Sequence, residues 1–240
     1  MRILITNDDG LQAAQLVPLI QWCRKLGEVT VVVPKVEQSG KSHSFEIHRP
    51  FEAKQVDLCP DVPVWSVDST PADCVRFAVL GMGMKFDLVI SGVNRGLNMG
   101  SDIMYSGTVA AASEAVNLGV LAVAVSTPPE NYENATAELD HVLEFFRKHD
   151  LFARNRLWNV NIPANPKGFR FTRQGGPYYS DDFPHIGDDL YRPCGKPVWE
   201  DSQDDTLDTD ATLHGFITVT PLTIDRTNQP LFQTLSSIPL

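Results

Sequence analysis

Arg2-Ile3-Leu4-Ile5-Thr6-Asn7-Asp8-Asp9-Gly10 opens the chain, and the change of character along this stretch decides the fold. Three consecutive apolar residues read as a strand buried on both faces, and unbroken rather than alternating runs mark a parallel sheet covered by helices. The same pattern repeats outward from it. Leu16, Leu19, Ile20, Cys23 and Leu26 recur at helical spacing, with Pro18 fitting only near the first turn and Gly27 as the stop. Val29-Thr30-Val31-Val32-Val33 predicts a second strand halted by Pro34, Val64 to Val67 a third, Leu88-Val89-Ile90 a fourth and Leu121-Ala122-Val123-Ala124-Val125 a fifth. Thr70-Pro71-Ala72-Asp73 has a capping hydroxyl followed by proline at the first helical position. An alanine-rich helix separates strands four and five, and Leu139, Val142, Leu143 and Phe146 mark another. Strands alternating with helices predict a doubly wound α/β core over residues 1–165. Past Asn165 the runs shorten, as in Phe169-Arg170-Phe171-Thr172 and Phe216-Ile217-Thr218-Val219-Thr220, and predict an antiparallel or irregular extension over 166–240.

Charge narrows the function. Across 240 residues, 20 Lys and Arg against 30 Asp and Glu leave a net charge of −10, a field that repels nucleic-acid polymers and anionic membranes. A small phosphorylated substrate is still admissible, because a local cation or a helix end outweighs a distant field. Ten acidic residues lie between Asp181 and Asp210 against Arg192 and Lys196, so this stretch carries −8 of the total. With its prolines and glycines it reads as a long irregular excursion, either a solvated loop or a lid or interface segment. Cys23, Cys59, Cys74 and Cys194 are scattered without a CxxC pair, which suggests neither a disulfide framework nor a zinc ribbon. The first apolar run is too short for a signal peptide, and none approaches the roughly 18 residues that span a bilayer. A cytoplasmic protein is expected.

Doubly wound sheets bind ligands beyond the carboxyl ends of their strands, at the switch point. The loops after strands one, two and four are therefore where chemistry is sought. After the first, Asp8 and Asp9 place two carboxylates at the end of a buried strand, where each raises the pKa of the other unless a cation intervenes. All-oxygen ligation suits Mg²⁺ or Mn²⁺; the plainer alternative is an acidic turn closed by Gly10. After the second, Ser39-Gly40-Lys41-Ser42-His43-Ser44 resembles part of a P-loop, but Lys35 stands where the first glycine is needed. The following Ser44-Phe45-Glu46-Ile47-His48 alternates like a strand, whereas a P-loop opens a helix. What survives is a loop able to offer hydroxyls and amides to an anion or a metal. After the fourth, Ser91 to Asp102 is dense in glycine and asparagine, with Asn94 and Asn98 as neutral carbonyl donors. Tyr105-Ser106-Gly107-Thr108 then leads into the alanine-rich helix, a phosphate cradle without a lysine, or simply an N-cap. Asp208-Thr209-Asp210-Ala211-Thr212 imitates an aspartyl-phosphate phosphatase motif, yet polar Glu200 to Leu207 cannot be the buried strand that chemistry requires. His43 is the sole histidine in a candidate loop, and neither GxSxG nor GxGxxG occurs.

Six motifs in order carry a resemblance. They are Asn7-Asp8-Asp9-Gly10, Ser39-Gly40-x-Ser42-x-Ser44, Thr70-Pro71-Ala72-Asp73-Cys74-Val75, Ser91-Gly92-Val93-Asn94-x-Gly96-x-Asn98-x-Gly100, Tyr105-Ser106-Gly107-Thr108-Val109 and Asn159-Val160-Asn161-Ile162-Pro163. Together they resemble the SurE family, stationary-phase survival proteins that are metal-dependent 5′-nucleotidases, and Asp208-Thr209-Asp210 and Thr220-Pro221-Leu222 extend the likeness. The resemblance implies a Rossmann-like core and a carboxyl-terminal extension exchanged between subunits of a homodimer or homotetramer. It implies one divalent cation per subunit, Mg²⁺ or Mn²⁺, on Asp8, Asp9, Ser39 and Asn94. It further implies hydrolysis of nucleoside 5′-monophosphates, with 3′-esters and short polyphosphate taken by some members. Asp8 and Asp9 are the expected catalytic groups, Ser106, Gly107 and Thr108 the phosphate-binding ones, and Lys41 and Asn98 candidate substrate contacts. Two residues depart from the family pattern: Lys41 replaces a small residue and Gln15 a glycine. The rival readings are a non-catalytic nucleotide or anion sensor and a glycosyltransferase, for which 240 residues barely provide the second α/β half.

Overall fold

The computed structural model describes residues 1–238. In chain order its elements are β1 (Arg2–Thr6), α1 (Leu16–Arg24), β2 (Glu28–Pro34), β3 (Ala53–Val56), β4 (Val64–Val67), α2 (Pro71–Arg76), β5 (Leu88–Arg95), α3 (Gly107–Asn117) and β6 (Leu121–Thr127). Then follow α4 (Leu139–Lys148), α5 (Leu151–Arg154), β7 (Leu157–Asn161), β8 (Phe169–Phe171), β9 (Tyr179–Asp182), β10 (His185–Gly187), β11 (Leu190–Tyr191), β12 (Cys194–Pro197), α6 (Asp208–Leu213), β13 (Ile217–Leu222) and α7 (Gln229–Leu235).

Nine strands form one sheet in the order β3-β4-β2-β1-β5-β6-β7-β13-β8. The six from β4 to β7 are mutually parallel, and their sequence of neighbours is that of a Rossmann sheet. The unbroken apolar runs explain the layers. Ile3, Ile5, Val31 and Val33 face a cluster with Leu19, Ile20 and Cys23 of α1 and Val142 and Phe146 of α4. Leu4, Val32 and Val89 face the other way, onto Cys74 and Val75 of α2 and Val109, Ala111, Ala112 and Ala115 of α3. Small residues on α3 let that helix lie close to the sheet. Thr70 caps α2, its hydroxyl accepting the Asp73 N–H at 3.1 Å, with Pro71 at the first helical position.

Several elements differ from expectation. β3 is an antiparallel edge strand whose mixed Ala-Lys-Gln-Val side chains carry no apolar run. β7 was hidden by Asn159 in mid-strand and Asn161 at its end, both fully buried. In the extension, β13 runs antiparallel to β7 as expected, but β8 pairs with β13 in parallel. Residues 44–48 form no strand; they are held by side-chain bonds instead. The acidic excursion is irregular only in part: β9 pairs with β12 and β10 with β11 as a nested two-stranded ribbon whose side chains are exposed. The cysteines are free.

Candidate active site at the switch point

The chain runs outward from β1 through β2 to β4, then returns to place β5 on the other side of β1. The crevice at that reversal is bounded by the loops after β1, β2 and β5. Asn7 shapes the first, its side chain bonding the Gly10 N–H at 3.1 Å and the Gly10 carbonyl at 3.0 Å. Gly10 has φ +85°, and a Cβ there would lie 2.8 Å from the Val36 carbonyl carbon, so turn and close approach both require glycine. This turn presents Asp8 and Asp9.

Asp8 is buried against the amino end of α3. Its Oδ1 accepts a hydrogen bond from the Thr108 hydroxyl, and a Cβ on Gly107 would stand 2.8 Å from the Asp8 Cβ. Burial raises the Asp8 pKa, and the Thr108 hydroxyl offsets only part of that rise. Asp9 is less enclosed; its Oδ2 accepts the Arg95 N–H at 3.1 Å and lies 3.5 Å from the Tyr132 hydroxyl. Burial, and then the charge of Asp8, push Asp9 up to about 6. Asp8 Oδ2 and Asp9 Oδ1 are left as the oxygens to ligate.

The other expected ligands sit on the adjoining loops. Asn94 follows an irregularity in β5, where Gly92 is obligatory because a Cβ would meet the Val125 oxygen at 2.3 Å. Its amide nitrogen donates to the Gly96 carbonyl at 2.8 Å, which leaves Oδ1 as the free donor atom. Ser39 is exposed on the loop after β2 and donates to Glu37 at 2.7 Å, while the Gln38 N–H holds the Asp8 carbonyl at 2.7 Å. Beneath these groups, Thr6 Oγ1 and Ser91 Oγ are buried without partners on register-paired residues of β1 and β5. Among the described residues no three His, Cys, Asp or Glu side chains gather into a metal cluster. The donors that fit an ion here are two carboxylates and neutral oxygens, a hard set suited to Mg²⁺ or Mn²⁺.

The cradle residues divide their work. Ser106 is the N-cap of α3, its Oγ accepting the Val109 N–H at 3.1 Å. The Thr108 hydroxyl turns to Asp8, so the groups left for an anion are the Ser106 hydroxyl proton and the first amides of the helix, Gly107 and Thr108. Asn98 is tied to the scaffold by its side-chain amide, which donates to Ser126 Oγ at 2.8 Å, and by its main-chain carbonyl, which accepts from the Asn159 and Asn161 amides at 2.8 Å; its Oδ1 takes no part in these bonds. Lys41 is exposed and makes no ion pair among the described residues. Gln15 lies at φ −86°, so its backbone has no need of glycine; it bonds the Glu133 carbonyl at 3.2 Å and keeps a buried, partnerless Oε1.

Sequence reasoning missed three participants. Glu37 adds a negative charge that raises both aspartates. Tyr132, brought over Asp9 from the turn after β6, is itself pushed up to about 12 by burial and by Asp9. Asp208 is a clamp: its carboxylate accepts the Gly100 N–H at 3.0 and 3.1 Å and the Gly175 N–H at 2.7 Å, tying the loop after β5 to the extension. Only Asp208 had left a signal, in a motif set aside for the right reason.

Fold and site define a class: a Rossmann-order α/β protein with a paired-carboxylate, oxygen-only site set against a helix amino end. The model of the family described as Survival protein SurE matches residues 3–181. The chain is 36% identical over 248 residues to the 5′-nucleotidase SurE of Thermosipho africanus, covering 98% of this chain and 96% of that one. It is 39% identical over 251 residues to the 5′-nucleotidase SurE of Gemmatimonas aurantiaca, covering 98% and 97%. The crystal structure of the SurE protein from Aquifex aeolicus superposes with a TM-score of 0.79 at 33% identity over 98% of both chains. The chain belongs to the SurE family.

Proposed function

We propose that the protein is a metal-dependent 5′-nucleotidase, releasing inorganic phosphate from nucleoside 5′-monophosphates, with 3′-monophosphates and short polyphosphate within its range. The observation that carries this reading is the packing of Asp8 on the amino end of α3, which sets an ion site beside a phosphate site. Asp8, Asp9, Ser39 and Asn94 would hold one Mg²⁺ or Mn²⁺ per subunit. Bound there, the ion supplies Lewis acidity, drawing charge from phosphoryl oxygens and acidifying water. The chain's own residues do the rest. The Gly107 and Thr108 amides and the Ser106 hydroxyl donate to phosphoryl oxygens as charge builds on them in the transition state. A free oxygen of Asp8 or Asp9 takes the proton of the attacking water. Lys41, exposed on the loop after β2, would meet a more anionic substrate, and Asn98 would act from beneath by fixing the loop.

A sensor that only bound phosphate would favour Arg and Lys over two buried carboxylates. Relatives carrying the nucleotidase name along their whole length support the enzyme. The net charge of −10 speaks against a nucleic-acid polymer as partner. Among the described residues no helix is long and apolar enough to cross a membrane. A cytoplasmic location without a membrane partner is part of the same proposal. Residues 1–165 would form the catalytic core and 166–240 the part that joins subunits into a homodimer or homotetramer. Phosphate release from AMP, GMP and an aryl phosphate, with and without EDTA, is the test. Release that EDTA abolishes and Mn²⁺ or Mg²⁺ restores is expected; binding of AMP without turnover would establish the sensor instead.

A further inference from the structure

Glu114 lies two turns into α3, about 10 Å along the axis from the helix end that faces the phosphate. It is 5% exposed, and it touches neither Asp8 nor Asp9 in the hydrogen-bond network described above. A buried carboxylate is costly unless both oxygens are paired. Here they are: Oε2 with His43 Nε2 at 2.8 Å and Oε1 with Arg76 Nη1 at 2.8 Å. Burial alone would raise its pKa, but hydrogen bonds from His43 and Arg76 reverse the sign and hold it below the ordinary value.

Its two partners come from different elements. Arg76 ends α2, and its guanidinium lies 4.9 Å from the centre of the Phe45 ring. His43 belongs to the loop after β2, four residues beyond Ser39. That loop has few backbone bonds of its own and is fastened from outside. Ser42 donates through its hydroxyl to the Met104 carbonyl at 2.6 Å and through its N–H to the Tyr105 carbonyl at 3.1 Å. Thr70 Oγ1 donates to the Ser44 carbonyl at 2.8 Å. The Glu46 N–H reaches the buried Asp73 carboxylate of α2 at 2.8 Å, whereas the His43 bond reaches a buried charge fixed on the helix that carries the phosphate-facing amides.

We propose that Glu114 is a positioning residue that acts through His43, holding the Ser39 loop at a set distance from Asp8 and from the amino end of α3. The inference rests on the function proposed above. A helix is stiff, so a carboxylate anchored on α3 carries the phosphate site and the Ser39 hydroxyl as one unit. Without the His43 bond the loop keeps the Gln38 N–H on the Asp8 carbonyl and its tethers to the turn before α3 and to α2, so the protein stays folded, but the far side of the loop loses its link to the body of α3 and Ser39 is held less closely toward the ion.

The test is a double-mutant cycle read by Mn²⁺ affinity, measured by titration calorimetry, with Tm in the metal-free state alongside. His43→Ala is expected to weaken Mn²⁺ binding about tenfold, the scale of partners that orient metal ligands. Ser39→Ala should cost a similar factor, and the double variant no more than Ser39→Ala alone. His43→Gln, whose amide can still donate to Glu114, should recover most of the loss. Glu114→Gln should match His43→Ala; if that variant does not fold, the half-exposed His43 carries the test. Additive losses in the double variant, or a lower Tm with unchanged Mn²⁺ affinity, would show a purely structural role and overturn the inference alone. A wild-type protein that takes up no Mn²⁺ would overturn the proposed function, and this inference with it.

Discussion

Asp9 sits between two demands. Folded, its carboxyl is pushed up to about 6, against 3.8 for an unperturbed aspartate. A carboxyl whose folded pKa is raised costs stability as pH climbs through the interval between those values, and the cost is complete above pH 6. Metal-free Asp9→Asn should therefore melt a few degrees higher than wild type at pH 8 and no higher at pH 4, by differential scanning calorimetry. With Mn²⁺ added the order should reverse, and metal-dependent turnover of Asp9→Asn should fall about a hundredfold or more. Thr108 makes a second case. Its hydroxyl is the donor that lowers the Asp8 pKa, so Thr108→Val should move the acid limb of the pH–rate profile to higher pH and reduce kcat. The paired aspartates were legible because two adjacent charges after a buried strand demand an explanation. Glu37, Tyr132 and Glu114 were not, because what they do depends on who meets them across the fold. Tyr132 is 123 residues from Asp9 in sequence.

Elements follow the same division. β1, β2, β4, β5 and β6 were readable from unbroken apolar runs, and α2 from its cap and proline. β7 was not, because its asparagines are buried for a purpose no local pattern reports: their amides hold the Asn98 carbonyl. α3 was readable as a helix, but its contact with β1's turn was not, although Gly107 is the residue that permits it. Gly107→Ala places a methyl group 2.8 Å from the Asp8 Cβ and 3.0 Å from the Pro71 Cγ. It should destabilise the fold by about 1–3 kcal/mol in urea denaturation and abolish most activity, since α3 must retreat from Asp8.

At the scale of the molecule, much of the exposed apolar surface lies on the carboxyl-terminal extension. Leu231, Phe232 and Leu235 of α7 are each more than half exposed, as are Tyr179, Phe183, Leu190 and Tyr191 in and around the ribbon. A seven-residue helix with no buried side chain gains little from its own chain. In the proposed homodimer or homotetramer a second subunit would cover it. Replacing Leu231 and Phe232 together by Asp should shift the protein toward a monomer in size-exclusion chromatography with light scattering, leaving the metal-free Tm of the core nearly unchanged. The ribbon itself was not foreseen, because four acidic residues and three prolines within it masked a hairpin whose side chains are exposed.

Asp208 gives the chain an order of completion. The groups proposed to bind ion and phosphate have all been joined to the chain by Thr108, yet the Gly100 N–H in the loop after β5 waits for a carboxylate 108 residues later. A nascent chain stalled before α6 would display every reactive group with its loop unlatched. Competence therefore waits for α6, and a residue remote in sequence from the aspartates is the one that latches the loop that follows Asn94 and carries Asn98.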